Sequence, residues 1–173
     1  YQTVTTIDDN GREKRSVVYR GPLFEVSLDQ EGLTKLRQQS FLLLGLILVF
    51  HIAGGFIDNP GMYQFFISLP YVIAFFPLVY LAAGTLRLPR EIRKYRRDEI
   101  GHSFNQIKSA CRFLLVFQGI GILGEIVLLI LQLGNALPGT ELIFITLEIA
   151  SFLFVFLLTR LHNKLIIRMC PEE

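Results

Sequence analysis

Three ionisable side chains stand in stretches that otherwise carry almost no charge: His51, Glu125 and Glu148. Two carboxylates close together in low dielectric cannot both ionise cheaply, so one of them holds a proton, and a histidine beside them adds a second exchangeable site. That chemistry suits the binding or passage of protons or cations. One histidine with two carboxylates is also a ligand set for zinc, manganese or ferrous iron, although no local spacing motif supports a metal here. The plainer alternative is structural. Neutral or paired side chains hydrogen-bond helices together inside a bilayer, each contributing about 0.6 to 2 kcal/mol.

Spacing places these residues on defined faces. Gln118, Gly121, Glu125 and Gln132 fall at steps of three, four and seven, one stripe of a helix. Glu141, Glu148 and Ser151 fall at steps of seven and three, again one stripe. Lipid repels such stripes, so each is expected to face other helices. Counting from Arg112, Arg160 and Gln39 at about 1.5 Å per residue puts Glu125, Glu148 and His51 all about 18 to 19 Å into the membrane. Tyr71, bracketed by Pro70 and Pro77, comes from a further span at a neighbouring height. The expectation is therefore one intramembrane polar cluster of His51, Glu125, Glu148, Gln118 and Tyr71. Gly54 and Gly55 just beyond the histidine would let another helix approach its ring. Asp58 and Glu141 would mark an outer entrance, while the other half of the bundle offers little beyond Gln118, Thr85 and Thr159.

The elements that must position this cluster are membrane spans. Apolar residues make up 51% of the 173-residue chain and charged residues 18%, with a mean hydropathy of +0.46. Asp58 is the one charged residue between Ser40 and Leu86, and Glu125, Glu141 and Glu148 are the only ones from Phe113 to Thr159. Four spans are drawn, at about 41–57, 62–86, 113–134 and 142–161, since apolar runs of this length and low charge suit a bilayer. Pro70 and Pro77 are expected to kink the second. Asp58-Asn59-Pro60-Gly61 and residues 135–140 supply tight turns between antiparallel helices. All 17 Lys and Arg lie in residues 1–39, 87–112 and 160–168. The positive-inside rule then makes both termini and the middle loop cytoplasmic, in a multi-pass protein of the cell membrane. The expected fold class is an all-α polytopic four-helix bundle, N-in and C-in, with the transmembrane domain at 40–161 and a cytoplasmic tail at 162–173.

Residues 1–39 read as a small cytoplasmic β-rich unit. Thr3-Val4-Thr5-Thr6-Ile7, the turn signal Asp9-Asn10-Gly11 and Ser16-Val17-Val18-Tyr19 suggest a hairpin, with residues 23–28 as a third strand. Three such strands are marginal alone and need something to pack on. A short amphipathic helix, 33–39, capped by Asp29 or Ser27, would lead into the first span. Residues 87–112 read as a basic helix with Pro89 in its first turn and a break at Gly101. Arg87, Arg90, Arg93, Lys94, Arg96 and Arg97 could hold anionic lipid headgroups, or they simply meet the positive-inside requirement. No apolar run with a cleavage site precedes Ser40, so no signal peptide is expected. Cys111 and Cys170 form no metal-binding spacing and read as reduced thiols.

Several functions are disfavoured. A net charge of +2 does not argue for nucleic acid. Gly119-Ile120-Gly121-Ile122-Leu123-Gly124 matches GxGxxG formally, but it lies inside an apolar span without a preceding strand, so its glycines suit close helix approach rather than a dinucleotide. Hydrolase and metalloprotease motifs are absent, no cofactor is implied, and an enzyme is not expected. The layout resembles that of small four-span bacterial membrane proteins, a likeness that transfers no residue roles. Two functions stay open: a membrane subunit or scaffold binding a protein partner through residues 1–39 and 87–112, and a small proton- or cation-coupled transporter, one able to work as a homo-oligomer, built on His51, Glu125 and Glu148.

Overall fold

Inside a bilayer a chain has no water to satisfy its peptide groups, so apolar runs of this length become helices. A computed structural model of the protein describes residues 2–7, 13–18, 21–131 and 139–170. It contains four helices long and apolar enough to cross a membrane: α1 (Gln30–Gly55), α2 (Phe65–Leu86), a continuous run of α3 (Arg97–Ile100), a π-helical turn (Gly101–Asn105) and α4 (Gln106–Leu131), and α5 (Gly139–Asn163). The third run has 35 residues, about 52 Å at the helical rise, well beyond a hydrocarbon core of about 30 Å. The helices form a ring in which α1 touches α2 and α5, and α4 touches α2 and α5. Their outward faces are apolar, with Val49 63%, Phe76 76% and Leu123 63% exposed, whereas the inward stripes of α1 and α5 carry His51, Glu148 and His162. A water-soluble bundle has the opposite pattern.

Among the described residues five strands accompany the helices. β1 (Gln2–Ile7) and β2 (Glu13–Val18) pair antiparallel, Gln2 opposite Val18 and Ile7 opposite Glu13. β3 (Leu23–Val26) does not extend that hairpin, contrary to expectation. It is the centre of a separate sheet, between β4 (Tyr95–Arg96) and β5 (Ile167–Met169). Phe24 lies opposite both Tyr95 and Met169, and hydrogen bonds from Ser27 N to Ile166 O and from Cys170 N to Leu23 O extend the ladder. The reason is burial: Val26, Tyr95 and Leu165 enter the same core as Leu33 and Leu36 of α1. One sheet thus gathers the segments before α1, before α3 and after α5 at one end of the bundle, the sheet end. The 3-10 turn Pro60–Tyr63 lies at the opposite, turn end.

Two expectations for the basic segment and one for α1 are corrected. Helix does not begin at Pro89; it begins at Arg97, because the Gln30 side chain holds the preceding backbone extended, donating to Arg90 O at 2.8 Å and accepting from Ile92 N at 3.0 Å. Gly101 does not break the helix either, but opens the π-helical turn that carries the run onward. The short helix expected at 33–39 is simply the start of α1. Asp29 caps it, accepting from Gly32 N at 2.8 Å, and nothing between Gln39 and Phe41 interrupts the ladder.

α2 runs unbroken through Pro70 and Pro77. A proline leaves the carbonyl four residues earlier without its usual donor, here that of Phe66. α4 approaches this place closely: a Cβ on Gly124 would lie 3.3 Å from Phe66 O and 3.1 Å from its ring. Of the GxGxxG glycines Gly124 thus serves close helix contact, whereas a Cβ on Gly119 or Gly121 would meet its nearest neighbour only at 3.8 or 4.0 Å. The Asp9-Asn10-Gly11 turn, Tyr19, Gln132 and residues 135–138 lie outside the described residues.

Candidate functional site

The inward stripe of α1 carries Ser40, Leu44, Ile47, His51 and Gly54, all buried. His51 is fully buried, and its Nδ1 lies 3.0 Å from Glu148 Oε1 of α5. Tyr71 of α2 stacks on the imidazole at 4.4 Å between centroids and 30° between planes, and Phe75 tilts against it at 4.8 Å. The Tyr71 hydroxyl donates to His51 O at 2.5 Å. Gly55 makes this possible, since a Cβ there would sit 2.6 Å from that hydroxyl. A Cβ on Gly54 would make only ordinary contact with Glu148 and Phe144, at 3.4 and 3.5 Å. His51, Glu148 and Tyr71 are thus brought together as the spacing predicts, and Gly55 is the glycine whose missing side chain the approach requires.

Glu125 does not join that pair. It faces Glu141, which sits two residues into α5 and accepts from Gly61 N at 2.9 Å. A Cβ on Gly61 would lie 2.5 Å from Glu125 Oε2 and 3.0 Å from Glu141 Oε2, so both carboxyl groups close over the one residue that leaves them room. Both are fully buried. Asn59 of the adjoining turn is also buried, and its side chain accepts from Met62 N at 2.9 Å.

The displacement of Glu125 follows from helix register. Gln118 Nε2 donates to Ser151 Oγ at 2.8 Å, which sets α4 residue 118 against α5 residue 151. Antiparallel counting then puts residue 121 of α4, not 125, across from Glu148, so Glu125 is four residues, about 6 Å, nearer the turn end. Arg112 and Arg160 are not at equal heights, and depth counted from them carries that offset. The trio weighed as a metal site is divided accordingly, and among the described residues no three His, Cys, Asp or Glu side chains stand close enough to hold a metal ion.

A small cavity of about 10 Å³ borders one member of each pair, lined by Tyr71, Gln118, Gly121, Glu125, Phe144 and Glu148 among others. That volume admits about one water-sized species. Toward the sheet end the axis below Gln118 and Ser151 is filled by Ile47, Leu78, Leu114, Val155 and Leu158, each 1% exposed or less.

Beyond that apolar layer lies a second polar contact that the sequence reading missed. His162 Nε2 stands 2.9 Å from Ser40 Oγ, which donates to Leu36 O at 2.8 Å. A hydroxyl has one hydrogen, so the imidazole must be the donor through Nε2. The signal was present: continuing the Glu141, Glu148, Ser151 stripe by steps of four, three and four reaches Val155, Leu158 and His162, all buried.

The basic residues are distributed over the sheet end. Arg87 and Arg93 line a groove of about 440 Å³ with Pro89, Tyr95, Asp98 and His102. Arg93 reaches Glu99 at 2.6 Å. Burial pushes the Tyr95 phenol above its ordinary value, with Arg93 acting in the opposite sense, so it remains a donor to Glu91 O at 2.7 Å. Arg90 lines a different groove with Thr34, Arg37, Gln38 and Phe41, and Lys94, Arg96 and Arg97 are exposed. The six therefore do not form one headgroup site but spread over an exposed basic surface. No protein-family model, no curated protein and no solved structure matches this chain.

Proposed function

We propose that this protein is a multi-pass subunit of the cell membrane, with both termini and the middle segment in the cytoplasm, that docks an acidic protein on its sheet end. The observation that carries the reading is the β4-β3-β5 sheet, which joins three chain segments distant in sequence into one platform. Membrane insertion alone does not require such a platform; three separate basic segments would satisfy the positive-inside rule equally well. Charge complementarity selects the partner. Residues 87–99 carry six basic side chains against Glu91, Asp98 and Glu99, and a surface with that net positive charge steers an acidic one toward it. The apolar layer of Ile47, Leu114 and Leu158 between the two polar levels favours docking over a transport path.

Site-specific photo-crosslinking from position 94 of the full chain in native membranes tests this. The expected result is one discrete protein adduct, lost when Arg90, Arg93, Arg96 and Arg97 are changed together to Gln. Adducts only to phospholipid, or only to a second copy of the chain, would contradict it.

A further inference from the structure

The two grooves of the sheet end differ in charge balance. The one lined by Arg87, Arg93 and His102 also carries Asp98 and Glu99. The other, of about 510 Å³, is lined by Thr34, Arg37, Gln38, Phe41 and Arg90, with no acidic side chain among the described residues. Glu31, the one acid of α1, is engaged by Lys35 at 2.6 Å, and Glu99 by Arg93 at the same distance. Glu91 follows Arg90 in the chain but does not line the groove. Neither Arg37 nor Arg90 makes an ion pair among the described residues.

Local contacts hold these two cations beside one another. Gln30 clamps the extended segment against the start of α1 through Arg90 O and Ile92 N, which fixes the backbone that carries the Arg90 side chain. The Arg37 guanidinium lies over the Phe41 ring, 5.3 Å from its centroid, and its buried Nε has no partner. Thr34 gives its hydroxyl hydrogen to Gln30 O at 2.9 Å. The donors left to the groove are therefore two guanidiniums and the Gln38 amide. Depth adds a second observation. Positions 38–57 hold no Lys, Arg, Asp or Glu, and these residues rise about 30 Å, the thickness of a hydrocarbon core. Arg37 stands where that core meets the headgroups, and Phe41 lies one turn inside it.

We propose that this groove binds the phosphate of an anionic phospholipid between Arg37 and Arg90. A guanidinium presents a planar fork that matches phosphate oxygens, and the bound anion supplies the counter-charge that no acid of the groove provides. A soluble phosphate offers the same oxygens. Phe41 opens the apolar run of α1, so an acyl chain tethered to the phosphate lies along lipid-facing surface, and this favours the lipid. The inference does not rest on protein docking, which is read from position 94; failure of either leaves the other standing.

Native mass spectrometry of the purified full-length protein, titrated in neutral detergent with phosphatidylglycerol or phosphatidylcholine, tests it. The expected result is one phosphatidylglycerol per chain, bound about tenfold or more tightly than phosphatidylcholine. R37Q and R90Q should each weaken it about tenfold, as loss of a hydrogen bond between charged groups does. K164Q, which removes an exposed cation outside the groove, should change it by less than about twofold. Excess glycerol phosphate should leave the lipid bound. Equal retention of the two lipids by wild type, or equal losses in R37Q, R90Q and K164Q, would mean diffuse attraction to a basic surface and would overturn the proposal. Displacement by glycerol phosphate would mean a soluble-phosphate site and would overturn it as well. The lipid comparison and the displacement are read on wild type, so a variant that fails to fold removes neither.

Discussion

His51–Glu148 and Glu125–Glu141 occupy neighbouring levels of the same bundle, yet they solve the burial of ionisable groups in opposite ways. The first joins a base to an acid at 3.0 Å and adds an aromatic wall from Tyr71 and Phe75. The histidine's Nε2 is left without a partner among the described residues. The second joins two acids over Gly61, with three carboxylate oxygens left without partners among the described residues. The difference teaches that burial in a membrane is no measure of function by itself: a base beside an acid supplies its own counter-charge, and two acids do not.

Substitutions can break this contrast. The largest effect is expected from His51→Leu, which leaves Glu148 buried without its base and costs about 3 to 5 kcal/mol in detergent unfolding; combining it with Glu148→Leu should recover most of that loss. Next is Gly61→Ala, whose methyl must displace both carboxyl groups. It should destabilise by about 1 to 3 kcal/mol, and the effect should shrink in a background carrying Glu125→Ala. The sharpest contrast is one of sign. Glu125→Gln gives Glu141 an amide donor and should raise stability by about 1 kcal/mol, whereas Glu148→Gln weakens the contact to His51 and should lower it by about 2 kcal/mol. Equal signs would show that the two acids share one environment. The smallest effect belongs to Tyr71→Phe, which removes one hydrogen bond while keeping the stacked ring and should cost about 1 kcal/mol.

Much of this arrangement was legible in the residues. Hydropathy and charge located four helices, α2 and α5 to within about three residues, but started α1 eleven residues and the third run sixteen residues too late, because their polar sheet-end turns carry no hydropathy signal; stripe analysis identified the inward faces of α4 and α5. Gly54 and Gly55 correctly announced close approach beside His51. What failed was height. Periodicity fixes the face of a helix, but the axial offset between two helices depends on side chains that meet across the interface, here Gln118 with Ser151. For the same reason Glu141 looked like an entrance residue instead of the partner of Glu125. His162 was passed over because it sits beside Arg160 at a helix end, where a polar residue needs no explanation. The β3 strand was recognised as a strand, but its pairing with β4 and β5 joins segments more than 70 and 140 residues away, and local pattern holds no information about such partners.

A double-mutant cycle measured by reversible unfolding in detergent tests the two-pair arrangement most directly, because coupling energy reports contact. The expected result is coupling of about 1 kcal/mol or more between His51 and Glu148 and between Glu125 and Glu141, with less than about 0.5 kcal/mol between His51 and Glu125. Strong coupling of His51 to Glu125 would instead restore a single three-residue cluster and contradict the account.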